Sequence, residues 1–198
     1  ERAGVAAIQL EDQAFPKKCG HFEDKVVVSV EEMVQRIHAA RDARSEDEGI
    51  LIIARTDARA PLGLDEAIDR AKRYAEAGAD LLFVEAPQSE DELAHIGSEL
   101  SGHRLMANMV EFGKTPLLSA DRLAELGYCL IIHPGAITRA VVELTRALLG
   151  DLRATGSTTG WLDRMAAFAD VNALLGLPEA NEWEVEISRR AAEVGDSG

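Results

Sequence analysis

Short, mostly apolar runs recur along this chain, and each is followed by a stretch whose apolar positions return every three or four residues. The runs are 6–10, 50–54, 81–84, 105–107 and 129–132. Apolar runs this short read as strands buried on both faces of a parallel sheet. The patterns between them predict helices. Ser29 and Glu32 form a capping-box signal ahead of Met33, Ile37 and Ala40. Residues 65–77 predict a helix closed by Gly78, and 89–100 and 119–126 predict the next two. Pro134 follows the last run, and a helix is expected over 136–149. Two more helical stretches are expected over 160–175 and 181–194.

Repeated strand-then-helix units imply a parallel sheet covered by helices. The units are short and alike, as in a (β/α)8 barrel of TIM type. Five strands are legible where a closed barrel needs eight, and three further units would add ~90 residues. The opening Glu1-Arg2-Ala3-Gly4 reads as the end of a helix. The expected fold is therefore α/β, a (β/α)8 barrel with extra C-terminal helices, whose N-terminal βα units lie outside this chain. Residues 1–159 would be the C-terminal part of the barrel, and 160–198 a helical extension. The alternative is an open, doubly wound sheet of five strands, complete as it stands. Neither Gly-x-Gly-x-x-Gly nor a P-loop occurs, which weakens the nucleotide-binding form of that alternative.

Composition narrows the function. The formal charge of −14 argues against nucleic acid and anionic membrane as partners. No apolar run approaches the ~18 residues of a membrane span, and no signal peptide opens the chain. The two cysteines, Cys19 and Cys129, are not a disulfide framework and fit a reducing cytoplasm. Cys129 lies in Tyr128-Cys129-Leu130-Ile131-Ile132 and reads as core.

The chemistry collects where each strand ends, the end at which such folds keep their sites. The first strand runs Ile8-Gln9-Leu10-Glu11-Asp12-Gln13, and its acid pair points to a metal or a polar substrate. Phe15-Pro16-Lys17-Lys18-Cys19-Gly20-His21 follows. A free thiol titrates near ~8.5, and the cations around Cys19 stabilise its thiolate, readying it for proton transfer. The second strand ends in Arg55, Thr56 and Asp57, the third in Glu85. The fourth gives Asn108, Glu111 and the turn Gly113-Lys114-Thr115-Pro116. The fifth gives His133, then Arg139 one turn into the next helix. One such end is an ordinary solvated loop or cap, with Asp57 tying its own turn and Thr115 capping. Five on one face point to a site. Glu11 and Glu85 suit a hard cation such as Mg²⁺. Arg55 and Arg139 offer bidentate forks to substrate carboxylates, and Asn108 can orient an oxygen. No Ser-His-Asp set occurs, the five histidines lack zinc-ligand spacing, and His38, His95 and His103 read as surface residues.

At these residues the chain resembles the isocitrate lyase/phosphoenolpyruvate mutase superfamily, most closely its methylisocitrate lyase and dimethylmalate lyase branch. The marks are Leu10-Glu11-Asp12-Gln13, Lys18-Cys19-Gly20-His21, Ala54-Arg55-Thr56-Asp57-Ala58, Val84-Glu85-Ala86 and Asn108-Met109-Val110-Glu111. The resemblance implies that Glu11 belongs to the shell of a Mg²⁺ or Mn²⁺ ion through water. It implies that Cys19 is the general acid on a mobile gating loop, which Lys18, Gly20 and His21 help form. Arg55, Glu85, Asn108 and Arg139 would contact the substrate. A homotetramer that exchanges its C-terminal helices, from Gly160 onward, is also implied.

Two departures stand out. The family's strongest magnesium aspartates and an aromatic substrate-holding segment belong to an upstream part that this sequence does not contain. Phe168 stands where methylisocitrate lyase-like sequences carry an arginine for an extra substrate carboxylate. An apolar ring leaves such a charge unpaired, which favours a smaller or alkylated 2-hydroxy diacid. The expected activity is Mg²⁺-dependent retro-aldol cleavage of that diacid to a 2-oxo acid such as pyruvate and a second carboxylate. The alternatives are a carboxyphosphonoenolpyruvate mutase-like enzyme and a non-catalytic assembly subunit.

Overall fold

The computed structural model describes the backbone of residues 1–18, 24–45 and 49–195, and side chains through residue 190. Five parallel strands lie side by side in sequence order: β1 (Ala7–Glu11), β2 (Leu51–Thr56), β3 (Leu81–Val84), β4 (Leu105–Asn108) and β5 (Tyr128–Ile132). Each crossover advances one strand in the same direction. A doubly wound sheet must reverse direction part-way, so this is a run of consecutive units of a (β/α)8 barrel, and the doubly wound alternative falls.

The helices begin where the sequence signals them. In α1 (Val30–Ala43) the Ser29 hydroxyl accepts the Glu32 amide at 3.1 Å, and Met33 and Ile37 are buried. One short turn, α2 (Arg59–Leu62), precedes α3 (Leu64–Glu76). Then α4 (Glu90–Glu99) and α5 (Ala120–Glu125) are capped by Ser89 and Ser119 in the same way. These caps satisfy amides that have no partner within the helix.

Strand alternation separates two cores. On the helix side Ala54, Leu82, Val84 and Ala107 pack with Met33, Ile37, Ile68 and Tyr74. On the other face Ile53, Leu81, Phe83 and Met106 form a smaller cluster. Register fixes what stands above that cluster. Glu11 pairs with Arg55, and Arg55 with Phe83. Two residues beyond Ile53, Phe83 and Met106 on the same face come Arg55, Glu85 and Asn108. An apolar floor thus carries a polar layer at the carboxyl ends of the strands.

Cys129 corrects an expectation: it is exposed rather than core. Leu105 pairs with Tyr128 and Met106 with Leu130, so the ladder skips Cys129. The extra residue of such an irregularity is left out of the pairing. Tyr128 takes the buried place and donates to the Leu93 carbonyl at 3.2 Å.

The chain divides into two compact units, Glu1–Arg139 and Ala140–Gly198. The long helix α6 (Ala136–Thr155) begins in the first. The second also holds a 3-10 turn (Thr159–Arg164), α7 (Phe168–Leu174) and α8 (Leu177–Gly195). Within it Trp161 donates to Asp151 at 3.0 Å, and Arg164 lies 4.2 Å over the indole ring. The single helix expected over 160–175 is therefore broken. Gly176, at φ +77°, separates α7 from α8 in a conformation that side chains disfavour. No helix among the described residues is long and apolar enough to cross a membrane.

Candidate active site

A cavity of about 410 Å³ opens at the carboxyl ends of the strands. Glu11, Arg55, Glu85 and Asn108 line it from β1 to β4, and Lys17, Lys18 and Arg139 line it from loops and the start of α6. Six sequence-predicted site residues, Glu11, Lys18, Arg55, Glu85, Asn108 and Arg139, therefore meet in one space. Cys19, Gly20 and His21 lie outside the described residues. Phe168 opens α7 in the second unit and is 84% exposed; its assignment to the substrate rests on the family resemblance.

Arg55 is the centre of the charge network. Its Nε and Nη2 donate to the two oxygens of Asp57 at 2.8 and 3.1 Å. The same guanidinium lies 3.7 Å from Glu85 and 3.8 Å from Glu11, and 5.1 Å over the Phe83 ring. Burial alone would lower the Arg55 pKa, but the hydrogen bond to Asp57 and the charges of Glu85, Asp57 and Glu11 raise it. Lys25 closes the other side of Asp57, with Nζ 2.8 Å from Oδ1 and both side chains fully buried. Burial pushes the Asp57 carboxyl up, yet Arg55 and then Lys25 hold it below its ordinary value. Arg55 is thus locked by a paired carboxylate before any substrate arrives.

The acid pair at the end of β1 does not act as a pair, which corrects the expectation for Asp12. Successive strand residues face opposite sides. Glu11 faces the cavity, 3.0 Å from Lys17 Nζ. Asp12 faces the helix layer and is fully buried. It accepts from Thr56 Oγ1 at 2.7 Å, from the Asp57 amide at 2.8 Å, from Tyr74 at 2.8 Å and from Arg70 at 3.3 Å. Burial and then the Asp12 charge raise the Tyr74 pKa, so the phenol stays a donor. Asp12 ties β1, β2 and α3 together.

Gln13 holds the root of the following loop. Its side-chain amide donates to the Lys18 carbonyl at 2.8 Å and accepts the Lys18 amide at 2.9 Å. Lys18 Nζ donates across to the Asp24 carbonyl at 3.1 Å. The Gln13–Val27 bridge continues the closure. Lys18 and Asp24 are thus tied to each other and, through Gln13, to the end of β1.

Sequence reasoning missed three contributors. Lys25 gave no signal, because nothing in the sequence shows that it reaches Asp57 across 32 positions. Lys17 was seen only as a neighbour of the thiol. Gly135 drew no notice, yet it lies in the cavity wall. At the far side Arg139 Nη1 is 3.1 Å from Glu111 Oε2, and His133 Nδ1 is 3.9 Å from Glu111 Oε1.

The donor chemistry suits a hard cation reached through water. Glu11 and Glu85 supply carboxylates, and the Asn108 Oδ1 atom is buried without a hydrogen-bond partner. Among the described residues no three His, Cys, Asp or Glu side chains converge tightly enough to wrap a bare ion. Mg²⁺ commonly keeps several waters, so outer-shell carboxylates fit it.

A family model described as phosphoenolpyruvate phosphomutase matches residues 1–153. A 2,3-dimethylmalate lyase of Eubacterium barkeri is 47% identical, over 93% of this chain and 63% of that protein. A 2-methylisocitrate lyase of Aeropyrum pernix is 41% identical, over 98% of this chain and 62% of that protein. A chloroplastic carboxyvinyl-carboxyphosphonate phosphorylmutase of Arabidopsis thaliana is 45% identical, over 94% and 55%. The chain thus spans 55–63% of the length of these relatives. Among solved structures, a 2,3-dimethylmalate lyase of the PEP mutase/isocitrate lyase superfamily matches with a TM-score of 0.83 and 34% identity, over 94% of this chain and 62% of that one. A phosphonopyruvate hydrolase in complex with oxalate and Mg²⁺ matches with a TM-score of 0.75 and 27% identity, over 93% and 63%.

Proposed function

The chain belongs to the phosphoenolpyruvate phosphomutase family, and on that premise we propose that the whole protein is a Mg²⁺-dependent carbon–carbon lyase acting on an alkyl-substituted 2-hydroxy dicarboxylate. The observation that carries this reading is one cavity lined by two arginines, two carboxylates and an amide. Arg55 and Arg139 bind the substrate carboxylates through paired N–H donors. Asn108 orients the hydroxyl group. Glu11 and Glu85 would hold the hydrated Mg²⁺, with Mn²⁺ as a substitute, through its waters. When bound, the cation supplies stabilisation of negative charge on the substrate oxygens.

Transfer of the hydroxyl proton to solvent lets the carbon–carbon bond break, giving a 2-oxo acid such as pyruvate. The electron pair stays on the departing carboxylate fragment, which the arginine charges stabilise. Cys19 protonates that fragment from the loop. Lys18 and His21 tune the thiol, and Gly20 lets the loop close over the diacid and exclude water. The proposal extends to a cytoplasmic homotetramer that exchanges helices from Gly160 onward. A second reading, a phosphonate mutase on the same scaffold, is favoured by the 45% identity to the Arabidopsis mutase.

The test is steady-state release of a 2-oxo acid from 2,3-dimethylmalate by the full-length protein with and without Mg²⁺. Cys19→Ser should lower kcat by about 10²–10⁴-fold, the usual worth of a general acid, with the melting temperature unchanged. Near-normal turnover in that variant removes Cys19 from the mechanism. Processing of a carboxyphosphonate in place of the diacid replaces the lyase by the mutase. Absence of Mg²⁺ binding by calorimetry leaves the non-catalytic subunit.

A further inference from the structure

We infer that Gly135 is a positioning residue for Arg139, its missing side chain being the space in which the substrate-binding guanidinium lies. This rests on the reading of Arg139 as a ligand of a substrate carboxylate. The Arg139 amide donates to the Gly135 carbonyl at 2.9 Å, which closes the first turn of α6. Helical side chains lean toward the N-terminus of their helix. The Arg139 side chain accordingly folds back one turn and covers Gly135. A Cβ built on Gly135 would collide with Arg139 Nη1, and would lie 3.0 Å from its Cζ and 3.5 Å from Glu111 Oε2. Among the described residues no other glycine lies against the end of an arginine that lines this cavity.

The placement has an electrostatic consequence. The first turn of a helix carries partial positive charge, so a cation folded onto it is unfavourable unless an anion lies close. Glu111 supplies that anion, 3.1 Å from Nη1. Guanidinium and helix N-terminus together make one place that demands a carboxylate, and Glu111 fills it from the protein side. A substrate carboxylate arriving from the cavity shares or takes that role. Methyl-sized bulk at position 135 would push the guanidinium off this place and part it from Glu111.

Gly135 is not held in a left-handed conformation. Alanine therefore fits its backbone, and reduces the freedom of the unfolded chain. The experiment compares wild type, Gly135→Ala, Arg139→Ala and the double variant in the full-length protein, reading KM, kcat, calorimetric Kd for 2,3-dimethylmalate and melting temperature. Gly135→Ala should raise KM and Kd about tenfold, the cost of one charge-assisted hydrogen bond, with kcat within about twofold and the melting temperature equal or slightly higher. The double variant should bind no more weakly than Arg139→Ala alone, since the glycine acts only through the arginine. If Arg139→Ala weakens binding and Gly135→Ala does not, the inference falls while the site assignment stands. If both effects add in the double variant, or Gly135→Ala melts early or fails to fold, the glycine is merely structural and the inference falls. If neither variant weakens binding, or the wild type binds no diacid, the role of Arg139 falls and takes the inference with it.

Discussion

Asp57 gives both carboxylate oxygens to cations, Arg55 on one side and Lys25 on the other, with no exposure to water. Burial alone would raise its pKa, and the two cations reverse that, holding it below the ordinary 3.8. A carboxyl depressed on folding adds stability that is fully present above its unfolded value and is lost as pH falls through the folded one. The contribution is therefore complete at neutral pH and disappears only below about pH 4. Asp57→Asn should cost about 3–5 kcal/mol at pH 7, because it removes the buried negative charge that Lys25 and Arg55 both pair with. It should also flatten the acid limb of the stability profile. Urea unfolding of both proteins from pH 7 to 2.5 checks this, and parallel acid limbs would refute it. Asp57 also shows why residue identity underdetermines role. In the sequence, Asp12 and Glu11 look equivalent, and Asp57 looks like a turn residue. Strand alternation sends Asp12 to the helix layer and Glu11 to the cavity, and a lysine 32 positions away turns Asp57 into an anchor for Arg55.

The elements were largely legible because their local and tertiary signals agree. All five apolar runs form strands, and the serines at 29, 89 and 119 cap the helices that follow. What the sequence concealed depends on contacts between elements. The strand expected to end at Ala54 continues to Thr56, because Thr56 pairs with Val84 in the neighbouring strand. The turn Arg59–Leu62 is too short for a helical period to show. The stretch 160–175 reads as one helix, yet a 3-10 turn over Thr159–Arg164 precedes α7 (Phe168–Leu174). Packing between α4 and the turn after α5 depends on one atom that is absent. A Cβ at Gly97 would collide with the Leu126 carbonyl oxygen, which is backbone and cannot swing aside. Gly97→Ala should therefore destabilise by about 1–3 kcal/mol despite the better helix propensity of alanine. Gly150→Ala is the control, since its Cβ would meet nothing within 4 Å and should be neutral or stabilising. Thermal melts decide the matter, and equal melting temperatures for the two variants would show that α4 can shift at no cost.

The whole chain is acidic, 35 carboxylate against 21 basic side chains, yet its cavity gathers Lys17, Lys18, Arg55 and Arg139. Exposed charges beyond ~8–10 Å are screened at physiological salt, so a diacid meets the local field rather than the net charge. That local field already meets its own carboxylates: Glu11, Asp57 and Glu85 around Arg55, and Glu111 at Arg139. A third substrate carboxylate therefore needs a further cation, and the family resemblance implies that Phe168 stands where methylisocitrate lyase-like sequences carry an arginine for it. The specificity that follows requires Phe168 to reach the substrate, in its own subunit or across the helix exchange. Phe168 is an apolar ring at the start of α7. A third carboxylate beside it would lose water and gain no ion pair, which costs several kcal/mol and orders of magnitude in kcat/KM. An alkyl group there gains about 0.8 kcal/mol per buried CH₂ instead. Dimethylmalate should therefore be a better substrate than 2-methylisocitrate or isocitrate, and Phe168→Arg should shift the preference toward the tricarboxylates. The measurement is kcat/KM for each acid on wild type and variant. A wild-type preference for the tricarboxylate, or a variant whose preference does not move, would place specificity in the strand-end cavity alone and remove α7 from substrate recognition.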